Sequence, residues 1–475
     1  MSSATSDRYY ITTAIPYVNA KPHIGFALES VQTDAFARYH RLAGMDTRFL
    51  TGTDENSLTN VLAAEREGIP IRQLVDRNAR AFMDLTKTLD ISNDDFIRTA
   101  AEQRHIAGCQ RLWNACAANG DIYKRHYQGL YCVRCEQFYT EDELVDGLCP
   151  EHRIPPELVE EENYFFRLSR YGEQLAALID AGKLRIIPET RRNEVRAFIA
   201  QGLEDFSVSR SRERARGWGI EVPGDPSQVI YVWFDALANY ITALHYGDPQ
   251  SDLYRRYWIE NPERVHVIGK GILRFHTIYW PAMLLSAGEP LPTTVFVHGY
   301  LTIGGAKMSK TLGNVVDPVD LVERYGTDAV RYWLLREVPP TQDADYTDEK
   351  LERRYNENRR RHPLARRPPR AAPDRPQGAR LAPRDAPGRR HQLRPGGRRR
   401  RGHGLPDQLH RAAPRPGARL RRQHPRRLQR HPGRRGRRCA ARGPNRSGPD
   451  PGPPRRVCPG LRRHRRRARP RRDQP

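Results

Sequence analysis

Solid apolar runs alternate along the chain with stretches in which apolar positions recur every three or four residues, and this alternation defines the first elements. The segment "RYYITTAIPY" is β-branched and aromatic and predicts a buried strand. "HIGFALESVQTDAFARYHRLAG" has apolar residues at helical spacing and is closed by Gly44, and "DTRFLTGTDEN" predicts a second buried strand. Strand, turn, helix and strand within about 45 residues form a βαβ unit, which implies a parallel sheet with a binding crevice at the strands' carboxyl ends. The loop "IPYVNAKPHIG" falls on that edge.

Between residues 121 and 226 the pattern changes to short segments and turns, as an insertion would. Alternation resumes at "QVIYVWFDAL", with a strand at "RVHVIGKGI", a helix at "RFHTIYWPAMLLSAG", a strand at "TTVFVHGYL" and an amphipathic helix over "DPVDLVERYGTDAVRYWLLRE". The expectation is one doubly wound α/β domain split by an insertion.

Charge changes the picture only at the end of the chain. The net charge of the 475 residues is +25, yet residues 359–475 hold 40 Arg, no Lys and 5 Asp, a net of +35, so the preceding 358 residues carry −10. The basicity therefore does not mark the body as a nucleic-acid binder. The tail also has 21 Pro and only nine Leu or Val, too few to offset the ordering entropy of a packed domain, and is expected to be disordered. No apolar run approaches the roughly 18 residues that span a bilayer, and the N-terminus has no secretory pattern, so the expected location is cytoplasmic with no membrane partner.

Three constellations carry chemistry. Pro22-His23-Ile24-Gly25 opens a helix: Gly25 lets backbone approach a phosphate, the helix N-terminus favours anions, and the His23 imidazole can donate to a phosphoryl oxygen. Taken alone it is a weak signal that better suits a capping His and a turn Gly. In "GGAKMSKTLGN", two glycines make a mobile loop, Lys307 and Lys310 can face one anion such as a pyrophosphate leaving group, and Ser309 adds a hydroxyl donor. Cys132-x2-Cys135-x13-Cys149-x2-His152 offers four ligands in two close pairs, which fits a closed tetrahedral zinc site with no position left for water, hence a structural one. Cys109 and Cys116 read as packing residues, and His126 as a spare ligand only.

In chain order, "AIPYVNAKPHIG", "FLTGTDEN", "GLYCVRCEQFYTEDELVDGLCPEH", "ENYFFRL", "RNEV", "YVWFDALANY", "FHTIYWPAMLLSAG" and "KMSKTLGNVVDP" resemble the class I aminoacyl-tRNA synthetases, and among them the methionyl family, over residues 8–358. The resemblance implies a Rossmann catalytic domain in two halves, 1–120 and 227–325. Between them lies a connective insertion with a zinc knuckle, 121–226, and after them the start of a stem-contact and anticodon-binding helical region, 326–358. It implies methionyl-adenylate formation from methionine and ATP, with Mg2+, and transfer to tRNA(Met), with one structural Zn2+. His23, Lys307 and Lys310 would be catalytic, and His23, Gly25, Lys307, Ser309 and Lys310 would bind ATP. Ile15, Tyr17, Asp54, Trp233, Tyr240 and His276 would bind methionine, Asp54 as counter-charge to the ammonium and the aromatic walls suiting a polarizable thioether. Without the resemblance, Trp233 and Tyr240 read as core positions i and i+7 of a helix. No C-terminal association module is recognisable, so a monomer is expected.

The sequence departs from the family at Phe26, where the signature ends in histidine, at Asn56-Ser57 in place of His-Gly, and at Gly271 in place of Asp. These changes bear on nucleotide binding and leave both lysines and all zinc ligands whole, which predicts a coherent variant that holds ATP by other donors. Beyond Asn358 the family pattern stops. GC-rich codons for residues 360–370 read one base later give Ala-Asp-Thr-Leu-Ser-Arg-Ala-Val-Arg-Arg-Ala, an amphipathic helix, so the tail reads as out of frame and the anticodon-reading domain as lost. The alternatives are another class I synthetase, of the cysteinyl type, and a catalytically weak remnant that binds RNA through its tail.

Overall fold

A computed structural model describes residues 7–150, 152–308 and 315–361, with the backbone alone at 306, 307 and 358–361. Ser309, Lys310 and the tail beyond residue 361 lie outside the described residues. At its centre is a six-stranded sheet. Its first strand, β1 (Arg8–Thr13), pairs in parallel with β2 (Asp46–Thr53) on one side and with Arg264–Gly269 on the other. Beyond β2 lies β3 (Asp95–Arg98), and beyond Arg264–Gly269 come Thr294–His298 and, at the edge, Arg185–Ile187, all parallel.

Alternate residues of these strands serve opposite faces. Tyr10, Leu50, Ile268 and Val295 join a large core with Trp113, Phe234 and Trp280, whereas Tyr9, Ile11, Phe49 and Val267 pack with Ala37 of α1 (Ile24–Leu42). Burial on both faces is why the strands read as solid apolar runs without polar alternation. Two strands escape the pattern because β3, "DFIR", and "RII" at 185–187 are only four and three residues long and each carries charge.

The span 121–226 supplies the edge strand Arg185–Ile187 to the main sheet, but its bulk is separate. Ile122–Cys132 and Glu157–Phe166 form a long antiparallel ribbon, flanked by Gln137–Tyr139 and Phe206–Ser207. The run expected to resume the alternation, "QVIY", falls in Asp225–Ile230 of a small antiparallel sheet and leads directly into the helix Val232–Thr242. The single helix expected after the "KMSK" loop is two, Pro318–Tyr325 and Thr327–Arg336, parted at Gly326, whose φ of 87° lies outside the helical range. Asp317 caps the first of them by accepting the Val319 N–H at 2.8 Å. Among the described residues no helix is long and apolar enough to cross a membrane.

Candidate active site

The chain leaves the carboxyl ends of β1 and β2 at residues 14–17 and 54–57. The Asp54 N–H donates to the Pro16 carbonyl at 2.9 Å, and Tyr17 and Asp54 form a parallel bridge that prolongs the pairing past the sheet. Beyond them opens a cleft of about 950 Å3 with an adjoining cavity of about 370 Å3, and Tyr17, His23, Phe26, Trp233, Tyr300 and Met308 line both. The crevice lies where a parallel sheet requires it.

One side of the crevice is the N-terminus of α1. His23 is its N-cap, with Nδ1 accepting the Gly25 N–H at 3.0 Å, so a proton on this neutral ring sits at Nε2. A Cβ at position 25 would lie 2.8 Å from the imidazole, so the close turn requires Gly25. Phe26 is 8% exposed and meets Phe82 edge to face at 4.9 Å, closing the core beneath the cleft rather than offering a donor to it. Lys307 falls in the short strand Ala306–Lys307 of a hairpin with Leu301–Ile303.

On the wall of the smaller cavity sits a pair that sequence reasoning did not single out. His298 Nε2 donates to Glu29 Oε2 at 2.8 Å and Nδ1 donates to the Gly299 carbonyl at 2.8 Å, while Glu29 Oε1 accepts the Ala14 N–H at 2.8 Å. The Gly299 carbonyl can only accept, so Nδ1 carries a proton, and the Glu29 carboxylate favours a second proton at Nε2. Burial disfavours the resulting charge, but the bond to Glu29 and its carboxylate outweigh burial and raise the pKa above 6.5. These residues are 269 positions apart, and nothing local in either segment marks the contact.

The other side is aromatic and acidic. Ile15, Tyr17 and Trp233 line the smaller cavity, with Trp233 stacked on Phe275 at 3.8 Å. Asp54 is 1% exposed and its Oδ1 has no hydrogen-bond partner. Burial first, then the carboxylates of Asp235 and Glu136, push the Asp54 carboxyl well above its ordinary range. Such a group calls for a cation. Tyr240 and His276 are buried beside the cavity, not on its surface: the Tyr240 hydroxyl donates to His276 Nε2 at 2.7 Å and His276 Nδ1 donates to the Ile272 carbonyl at 2.9 Å. Burial lowers the His276 pKa to about 4, so the ring is neutral and the tautomer is set by Ile272.

Cys132, Cys135, Cys149 and His152 converge, with their ligand atoms within 4.8 Å of one another. Cys135 and Cys149 sulfurs are 3.7 Å apart, and each of Cys132 and Cys149 lies 3.9 Å from His152 Nδ1. Ligands about 2.3 Å from a tetrahedral centre stand roughly 3.7 Å from each other, so the donor set and its spacing fit zinc. Cys109 and Cys116 are buried in the core, as expected of packing residues, and His126 is exposed on the ribbon away from the cluster.

The three departures outside Phe26 also have places. Asn56 Nδ2 donates to Asp235 Oδ2 at 2.7 Å, and Ser57 caps the helix Leu58–Glu67 while its hydroxyl donates to Glu136. A Cβ on Gly271 would lie 2.0 Å from the Tyr300 hydroxyl, so glycine here makes room for that ring.

The parallel sheet, the helix N-terminus at its switch and the hairpin that carries Lys307 define a class I tRNA synthetase fold. The family model for tRNA synthetases class I (M) matches residues 9–155 and 152–360. The chain belongs to that family, the methionyl branch of class I. It is 51% identical over 354 residues to the methionine–tRNA ligase of Brucella suis, covering 74% of this chain and 67% of the relative. It is 50% identical over 352 residues to that of Mycobacterium bovis, covering 73% and 66%. The structure of Mycobacterium tuberculosis methionyl-tRNA synthetase in complex with methionyl-adenylate superimposes with a TM-score of 0.70 at 50% identity, covering 74% of this chain and 68% of that one.

Proposed function

We propose that the chain activates methionine with ATP and transfers the methionyl group to tRNA(Met). The observation that carries this reading is the buried Asp54 carboxyl, whose Oδ1 has no partner and whose backbone is bridged to Tyr17, behind a cleft walled by Tyr17 and Trp233 and bounded by the N-terminus of α1. The α-ammonium of methionine satisfies Asp54, and its side chain packs among Ile15, Tyr17 and Trp233, with Tyr240 and His276 behind them fixing the pocket's depth. The methionine carboxylate then attacks the α-phosphorus of ATP, forming the acyl–phosphate bond as the bond to pyrophosphate breaks. No covalent bond to the protein is needed, so catalysis is positioning and charge stabilisation. His23 Nε2–H and the amide turn at Gly25 stabilise the phosphoryl oxygens, and Lys307 and Lys310, with Ser309, receive the leaving group. Zinc held by Cys132, Cys135, Cys149 and His152 supplies folding energy to the insertion and no chemistry.

Methionine-dependent ATP–pyrophosphate exchange on the full chain tests this. Exchange with methionine, and none with cysteine, is expected. His23→Ala should lower it by about 10² to 10³, the usual effect of losing one transition-state donor. No exchange in folded, zinc-loaded protein overturns the reading. The family match stops at residue 360, at the change in composition, which supports an out-of-frame tail. Resequencing codons 355–362 in independent clones tests that point, and a single intact frame overturns it.

A further inference from the structure

The corner formed by Cys135 and Glu136 touches two separate parts of the amino-acid site. Glu136 follows a zinc-cluster ligand directly, has a φ of 53° and is 4% exposed, so the chain turns sharply there and sends its side chain inward. Its Oε1 accepts the Ser57 hydroxyl at 2.5 Å and the Thr59 N–H at 3.2 Å, at the N-terminus of Leu58–Glu67. One residue further on, Asn60 Nδ2 donates to the Asp54 carbonyl at 3.1 Å. The backbone of the same corner holds the opposite wall: the Cys135 carbonyl accepts Trp233 Nε1–H at 3.4 Å, and the Glu136 carbonyl accepts the Tyr231 hydroxyl. Val133, Arg134 and Cys135 themselves line the large cleft.

We propose that Glu136 is a positioning residue for the amino-acid site, which clamps the Asp54 turn and the Trp233 helix to the cysteine–histidine knuckle so that order in the knuckle sets the affinity for methionine. The inference rests on the methionine site described above. A hydrogen bond from Ser57 is available because serine stands at this position, so the departure at residue 57 is one half of the clamp. Two bonds to one buried acceptor give the helix N-terminus a fixed position, and Asn60 passes that position to Asp54.

The test uses the full zinc-loaded chain with Glu136→Ala and Glu136→Gln. The measurements are bound zinc, methionine affinity from tryptophan fluorescence, and KM for methionine and for ATP in exchange. Loss of two buried hydrogen bonds in Glu136→Ala should raise the Kd and KM for methionine about tenfold, with KM for ATP and zinc content unchanged. Glu136→Gln keeps an oxygen acceptor and should restore wild-type affinity. Chelation of the metal should weaken methionine binding more in the wild type than in Glu136→Ala, which keeps only the backbone half of the clamp. Wild-type methionine affinity in Glu136→Ala, equal loss of methionine and ATP, or a Glu136→Gln variant as weak as Glu136→Ala each overturns the inference while leaving the function in place. Should Glu136→Ala fail to fold, Ser57→Ala decides: a methionine-specific loss of about threefold supports the clamp, and no change overturns it. A wild-type chain that does not bind methionine overturns the functional reading and this inference with it.

Discussion

At the scale of single residues, the site is built from groups held in one protonation state by what they touch. The Glu29–His298 pair is the clearest case, because its stabilising charge exists only while the ring is protonated. The His298 pKa is raised in the fold, so its contribution is present in full below the ordinary value near 6.5 and is lost as pH rises through the raised one. The urea midpoint of the chain should therefore fall as pH rises above about 6.5, and His298→Gln should remove that part of the pH dependence. Gly271 offers a second prediction. Gly271→Ala places a methyl group against the Tyr300 hydroxyl, the far end of a side chain that lines the cleft, so the ring should turn aside and the cost should stay near about 1 kcal/mol in the same urea titration, at the low end of overpacking. The signatures around His23, Lys307 and the cysteines could be read directly because their chemistry lies within a few consecutive residues. Glu29–His298, Asn56–Asp235 and Ser57–Glu136 could not, since each joins segments brought together only by the sheet.

At the scale of elements, α1 does more than present His23 at its tip. Asp34, fully buried on its inner face, accepts from Arg38 at 2.8 Å, from the Ser92 N–H at 2.7 Å and from Arg331 at 2.5 Å. Burial disfavours the charge, but Ser92, Arg38 and Arg331 together hold the carboxyl below its ordinary range. Arg331 lies on Thr327–Arg336, so one carboxylate ties α1 to the helices that follow Pro318. Asp34→Ala leaves Arg331 only its bonds to the Leu89 and Asp90 carbonyls and should cost about 3–5 kcal/mol in urea unfolding. The long elements of this framework were evident from periodicity. Their partition was not: a glycine with positive φ divides one amphipathic run into two helices, and the strand at 185–187 crosses from the insertion to the main sheet on three residues.

At the scale of the whole molecule, most of the insertion packs into the main core through residues such as Phe166, Leu175 and Val208, and its knuckle end depends on the cysteine–histidine cluster. Among the described residues, Cys132, Tyr139 and Cys149 form the buried cluster there, with Cys135, Leu144 and Ile154 packed against it, too little apolar surface to hold that end of the ribbon alone. Treatment with a chelator should therefore lower the melting temperature, followed by differential scanning fluorimetry, and zinc should restore it.

The split sheet also dictates an order of events. Thr12 and His266 are hydrogen-bonded neighbours 254 positions apart, so the edge of β1 that Arg264–Gly269 will cover stays open while the whole insertion emerges from the ribosome. The ribbon, with its local antiparallel pairing, can form first, whereas the central sheet must wait for a long loop to close. Nascent chains halted before residue 264 should thus expose an apolar parallel edge and be the species most prone to aggregate or to engage chaperones.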